Sequence, residues 1–163
     1  MRYTISLSVL IAFSLHPLCL GEESARIAEI PQAVRATVVE NAKANHPDDY
    51  ATQLFVVRRQ TEAYRVLAGF SGAPGIPPKV FSRIRNRANE SHPDDYSTQL
   101  FVIRRQISAY RALDKFSTPP QGVAGSDFFA IKAKAKADHP DDYSTQLFVI
   151  RRQISAYKRM HGE

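Results

Sequence analysis

The apolar positions of this chain follow one pattern that returns three times. From Tyr96, the residues Tyr96, Leu100, Ile103, Ile107 and Tyr110 are spaced by four, three, four and three. At 100° per residue these side chains fall within about 80° of arc, which is the apolar edge of an amphipathic helix of roughly five turns. Strand alternation fails over the same stretch, because Leu100-Phe101-Val102-Ile103 runs directly into Arg104-Arg105. A helix is predicted.

The string HPDDYATQLFVVRRQTEAY begins at His46, HPDDYSTQLFVIRRQISAY begins at His92, and the latter returns unchanged at His139, so the starts are 46 and 47 residues apart. A fixed period of this size marks a repeat built from one supersecondary unit. A weaker match lies upstream of each copy. Ile30-Pro31 answers Ile76-Pro77, Val38, Ile84 and Ile131 share one position, and Ala42, Ala88 and Ala135 share another. The two halves of the unit differ in how closely they match. All nineteen residues from His92 recur from His139, while Pro78 to Ser91 shares only Phe81, Ile84 and Ala88 with Gly125 to Asp138. Contact with protein on both sides of the second half is one explanation, and conversion over a short tract of gene is another.

Each unit reads as two helices. Pro93 suits a first helical position, where its missing N–H is not needed, and Asp94 and Asp95 place negative charge beside the positive end of the second helix. A residue before proline is pushed out of the α region, so the preceding helix is expected to stop at His92. Ile76-Pro77-Pro78 opens that earlier helix, and Val80, Phe81, Ile84 and Ala88 give it an apolar side. The expected fold class is all-α, with three tandem helical hairpins at residues 30–75, 76–122 and 123–163. Ala68 to Gly75 and Asp114 to Gly125 are rich in Gly, Pro and Ser and read as loops. A lone hairpin is too small to bury a sufficient core, which favours stacking into a short solenoid or bundle over three beads on linkers.

The first residues have a different character. Met1-Arg2 is positive, Tyr3 to Leu15 is mostly apolar, and His16-Pro17 ends the run. This is the layout of a secretory signal peptide, expected to span residues 1–21, with 22–29 as an extension before the first unit. The apolar run is shorter than the roughly 20 residues a membrane span needs. Lipidation of Cys19, the one cysteine, is the competing arrangement, with Leu18 rather than a small residue before it. Cleavage after Gly21 leaves no cysteine, hence no disulfide and no thiolate metal site. A periplasmic or extracellular location is expected, with no transmembrane span in the mature chain.

Charge adds a direction. The chain carries 22 Lys and Arg against 16 Asp and Glu, a formal +6. A basic surface favours anionic partners, either acidic proteins or other anionic ligands of the envelope or medium, and export argues against nucleic acid.

Phe101 lies about 140° from Tyr96 on the helical wheel, off the apolar edge, with Arg104 and Arg105 one turn on. Phe55 with Arg58 and Arg59, and Phe148 with Arg151 and Arg152, repeat the arrangement. An aromatic ring beside guanidinium forks can grip carboxylates or another ring, so these nine residues are the candidate binding surface. Packing of Phe101 on the neighbouring unit, covered by arginine stems, is the alternative. Gln99 and Gln106, with Gln53/Gln60 and Gln146/Gln153, are expected to hydrogen-bond between helices.

The His-Pro-Asp-Asp strings offer an imidazole and two carboxylates each: His46, Asp48 and Asp49; His92, Asp94 and Asp95; His139, Asp141 and Asp142. Such a set can ligate a divalent ion. Over these four residues per copy the chain resembles the opening of the zinc motif of the LmbE-like N-acetylglucosamine deacetylases, where the motif follows a buried strand in a larger α/β domain. Here each copy follows a predicted helix, and capping and turn formation account for the same Pro and Asp residues. No nucleophile–base set or phosphate-cradling glycine loop is present, and no cofactor is called for. The expected function is that of an exported, non-enzymatic helical-repeat protein that binds through its second helices. A metal-dependent enzyme built on the His-Pro-Asp-Asp turns and a self-associating structural protein are the alternatives.

Overall fold

The computed structural model describes residues 30–162, so the expected signal peptide and the extension to residue 29 lie outside the described residues. Those residues form six α-helices and no strand. In chain order they are α1 (Gln32–Asn45), α2 (Tyr50–Gly69), α3 (Pro78–Ser91), α4 (Tyr96–Lys115), α5 (Gly125–Asp138) and α6 (Tyr143–Met160). None of the described helices is long and apolar enough to cross a membrane.

The helix starts are set by the local sequence. Pro77 stands at the N-cap of α3 with Pro78 at its first position, where neither missing N–H costs a bond. Each short helix ends at the residue before its histidine, and His46, His92 and His139 sit at the C-caps. The long helices begin later than the proline signal predicts. Asp49, Asp95 and Asp142 are the N-caps and each accepts the backbone N–H three residues on, from Thr52, Thr98 and Thr145. Pro47, Pro93 and Pro140 therefore belong to the turn rather than to a first helical position. The cause is the residue between: Asp48, Asp94 and Asp141 have φ near +60°, at 63°, 60° and 61°. Left-handed backbone is incompatible with a helix and is tolerated by Asp better than by most residues. At the far end, α2 runs through Ala68 and Gly69, two residues into the stretch expected to be a loop.

α1 packs on α2, α3 on α4 and α5 on α6, and α2 packs on α4 and α4 on α6 to the same extent. The first helix of each pair closes on its partner through an alanine: Ala42, Ala88 and Ala135 are all essentially inaccessible. The predicted apolar edge of α4 is the interior, with Leu100, Ile103 and Ile107 buried and Tyr96 and Tyr110 packed against the same cluster. That cluster reaches from Ala63 and Leu67 of α2 through α3 and α4 to Tyr143 of α6. Burying a single Ile or Leu in such a core contributes about 1.5–3 kcal/mol. The connecting segments take part as well. Phe70 meets Phe81 edge-on at 5.2 Å, and Arg111 donates to the Pro74 carbonyl at 2.7 Å.

Candidate functional site

The middle helices of the packing, α2, α4 and α6, carry the chain's basic character. Together they hold eleven Lys and Arg against two acidic residues, Glu62 and Asp114. That excess is larger than the net +6 of the whole chain. The balancing carboxylates are concentrated in the three turns, at Asp48, Asp49, Asp94, Asp95, Asp141 and Asp142. Basic helices and acidic turns thus occupy different parts of the surface.

Phe55, Phe101 and Phe148 stand off the apolar edge of these helices, as the wheel predicts, and the structure leaves them 63%, 61% and 61% exposed. Ile103, two residues beyond Phe101, is 1% exposed. The contrast makes Phe101 a surface residue rather than part of the packing between units. Arg58, Arg59, Arg104, Arg105, Arg151 and Arg152 are exposed beside the three rings.

Two open grooves run over this layer. One, of about 520 Å³, lies between α4 and α6 and is lined by Arg105, Ser108, Ala109, Ser144, Leu147, Phe148, Arg151 and Arg152. The other, of about 680 Å³, is lined by Phe70, Ala73, Pro74, Arg104, Ile107, Ser108, Arg111, Ala112, Lys115 and Arg151. Arg151 stands on the rim of both. The structure therefore brings Arg104, Arg105, Phe148, Arg151 and Arg152 into one neighbourhood. It adds Arg111 and Lys115, which stand outside the aromatic–arginine strings. The signal for them was present, since Arg104, Arg111 and Lys115 are seven and four residues apart and share a helix face.

The His-Pro-Asp-Asp strings are structural elements of the joints. Asp95 Oδ1 accepts the Thr98 N–H at 3.0 Å and the Ser97 hydroxyl at 3.0 Å, and its Oδ2 accepts the Thr98 hydroxyl at 2.6 Å. Gln60 of α2 donates to Asp95 Oδ1 at 2.8 Å and accepts the Ser97 N–H at 3.0 Å. The same clamp forms one unit later, where Gln106 donates to Asp142 at 2.9 Å and accepts the Ser144 N–H at 3.1 Å. Edge-on tyrosine pairs sit beside both clamps, Tyr64 on Tyr96 and Tyr110 on Tyr143, each with centroids 5.0 Å apart. Burial pulls the Asp95 carboxyl upward, but the hydrogen bonds from Thr98, Gln60 and Ser97 outweigh it and bring it down to about 2. Asp142 has the same balance, burial against Gln106, Thr145 and Ser144, and also titrates at about 2.

The other glutamines close the turns from within. Gln53, Gln99 and Gln146 donate to the carbonyls of His46, His92 and His139, each at 2.7 Å. Each joins the end of a short helix to the long helix that follows. Arg83 adds an ion pair to Asp141 at 3.0 Å. Among the described residues no three His, Cys, Asp or Glu side chains are grouped so as to hold a metal ion. His46, Asp48 and Asp49, His92, Asp94 and Asp95, and His139, Asp141 and Asp142 each remain a turn with one left-handed and one capping aspartate.

No protein-family model, curated protein or solved structure matches the chain.

Proposed function

We propose that this is an exported, non-enzymatic helical-repeat protein, a short solenoid of three hairpins whose second helices bind an acidic protein partner. The reading rests on one observation above all: three phenylalanines at equivalent positions are each more than 60% exposed beside paired arginines. An aromatic ring in water gains little for its own fold, whereas aromatic and Arg side chains are the residues that dominate protein interfaces. The basic excess of α2, α4 and α6 steers an acidic surface toward them, the guanidinium forks pair with its carboxylates, and the rings supply the apolar centre. The secretory layout of residues 1–21 supports a partner in the envelope or the medium. Open grooves with no convergent nucleophile or base suit binding rather than catalysis.

The test is a fluorescence-anisotropy titration with a labelled acidic peptide that contains aromatic residues. Phe101→Ala with Phe148→Ala is expected to weaken binding by about tenfold or more, the usual loss at a binding hot spot. Arg104→Gln with Arg151→Gln is expected to weaken binding and flatten its salt dependence. Binding that ignores the phenylalanines, or no saturable binding at all, contradicts the proposal.

A further inference from the structure

Among the described residues, the clamp that joins the units is left without its complement at the two ends of the row. Within the chain, the carboxyl-terminal half of one long helix rests on the amino-terminal half of the next, through Gln60 on Asp95 and Gln106 on Asp142. At the last unit the donor glutamine is intact but covered by no other described element. Gln153 and Tyr157 occupy the places of Gln106 and Tyr110, and Gln153 is exposed whereas Gln106 is 9% exposed, while Tyr157 is half-buried with its ring 4.3 Å from that of His161. At the first unit no other described element covers the acceptor half. Tyr50 is 77% exposed where its counterpart Tyr143 is 8%, and Leu54 is 43% exposed where Leu100 is 9%. Asp49 keeps its capping bonds to Thr52 and lies at the surface.

We infer that the occupant of each end is the opposite end of a second copy, so that chains join head to tail through the Gln153–Tyr157 face of α6 and the Asp49–Leu54 face of α2. The argument is continuity with an interface the molecule already makes twice. A surface that fits its own complement one unit away also fits it on another copy, and contacts of this heterologous kind propagate unless the rotation closes a ring. In that joint Gln153 takes toward Asp49 and the Ala51 N–H the part that Gln106 takes toward Asp142 and the Ser144 N–H, and Tyr157 comes beside Tyr50. One difference grades the strength. Ala51 stands where Ser97 and Ser144 stand, so the contact that Gln60 makes to the Ser97 hydroxyl at 3.3 Å has no counterpart, while both ends of the amide clamp are kept. The joint between copies is accordingly weaker than the joints within a copy, which suits assembly that follows concentration.

Sedimentation equilibrium of the purified protein across a range of concentrations tests this. The average mass is expected to rise steadily past that of a dimer. Ala51→Ser, which restores the hydroxyl of the internal joints, is expected to tighten association several-fold. Gln153→Glu, which sets a carboxylate against Asp49, and Leu54→Lys, which blocks the other end, are each expected to weaken association about tenfold or more and leave a monomer alone, with the helical circular-dichroism spectrum intact. Their mixture retains one good donor end and one good acceptor end and is expected to form a capped dimer and nothing larger. A protein that stays monomeric at every concentration, or one that stops at a dimer unaffected by both end variants, overturns the inference. So does a mixture that fails to pair, or a clear loss of thermal stability in monomeric Leu54→Lys, which would show that the chain's own leading segment covers that end.

Discussion

The side-chain amide of Gln106 donates to the Asp142 carboxylate at 2.9 Å, so the residue that caps α6 is also the residue that anchors α4 to it. Helix initiation and packing between units are thereby coupled in one carboxylate. Gln106→Leu keeps the volume and removes the clamp, leaving a partly buried carboxylate short of a donor. The expected cost is roughly 1.5–3 kcal/mol, the range for hydrogen bonds to charged groups. Gln153→Leu, measured on dilute protein, is expected to change stability by less than about 0.5 kcal/mol because that side chain is exposed. Urea unfolding of the two variants checks the pair.

The two aspartates of each turn have different tasks and are expected to respond differently. Asp95→Ala removes both an N-cap and the acceptor of the Gln60 clamp and is expected to cost about 2–4 kcal/mol. Asp94→Gly puts the residue most tolerant of φ > 0 at a position with φ of 60° and is expected to be neutral or mildly stabilising. A metal site would require both carboxylates, and thermal melts that fall equally for the two variants would speak against the capping account.

Thr61 lies 2% exposed in α2, and its hydroxyl has no hydrogen-bond partner. The equivalent residues in the other two units are Ile107 and Ile154. Thr61→Val replaces the hydroxyl with a methyl of the same shape and is expected to stabilise by about 1 kcal/mol, a rise in Tm of roughly 3–5 °C. Calorimetry decides it.

Stability should also fall in acid, over a defined window. Asp95 and Asp142 titrate at about 2 in the folded protein, below the ordinary carboxylate value of about 3.9. A depressed folded value means that their stabilisation is complete above the unfolded pKa and is lost as pH falls through the folded one. The loss is therefore expected between about pH 4 and pH 2, roughly 1 kcal/mol per carboxylate once partial exposure is allowed for. Gln60→Leu and Gln106→Leu should each shrink that drop, which urea midpoints taken from pH 7 to pH 2 will show.

The helices and their buried edge were legible because the spacing of Tyr96, Leu100, Ile103, Ile107 and Tyr110 encodes both at once. The end of each short helix at its histidine was legible, but the long helix starts three residues later than its proline signals, because a proline beside acidic residues reads as a helix start whether or not the next residue is left-handed. Nothing in the one-dimensional string distinguishes Asp94 at φ of 60° from a first-turn aspartate. The hydrogen bonding of Gln106 was expected in kind, but not its partner, since Asp142 lies 36 residues away and the pairing depends on how the long helices cross. Phe101 was legible as an off-edge aromatic. Its exposure was not, because a wheel gives the direction of a side chain and leaves open whether another unit stands there.

The binding account is tested most directly by NMR titration of the protein with an acidic, tyrosine-containing polypeptide. Saturable shifts are predicted at the rings of Phe55, Phe101 and Phe148 and at the guanidinium groups of Arg104, Arg105, Arg151 and Arg152. Shifts confined to the His-Pro-Asp-Asp turns or to α1, α3 and α5, or no saturable shift anywhere, would contradict it.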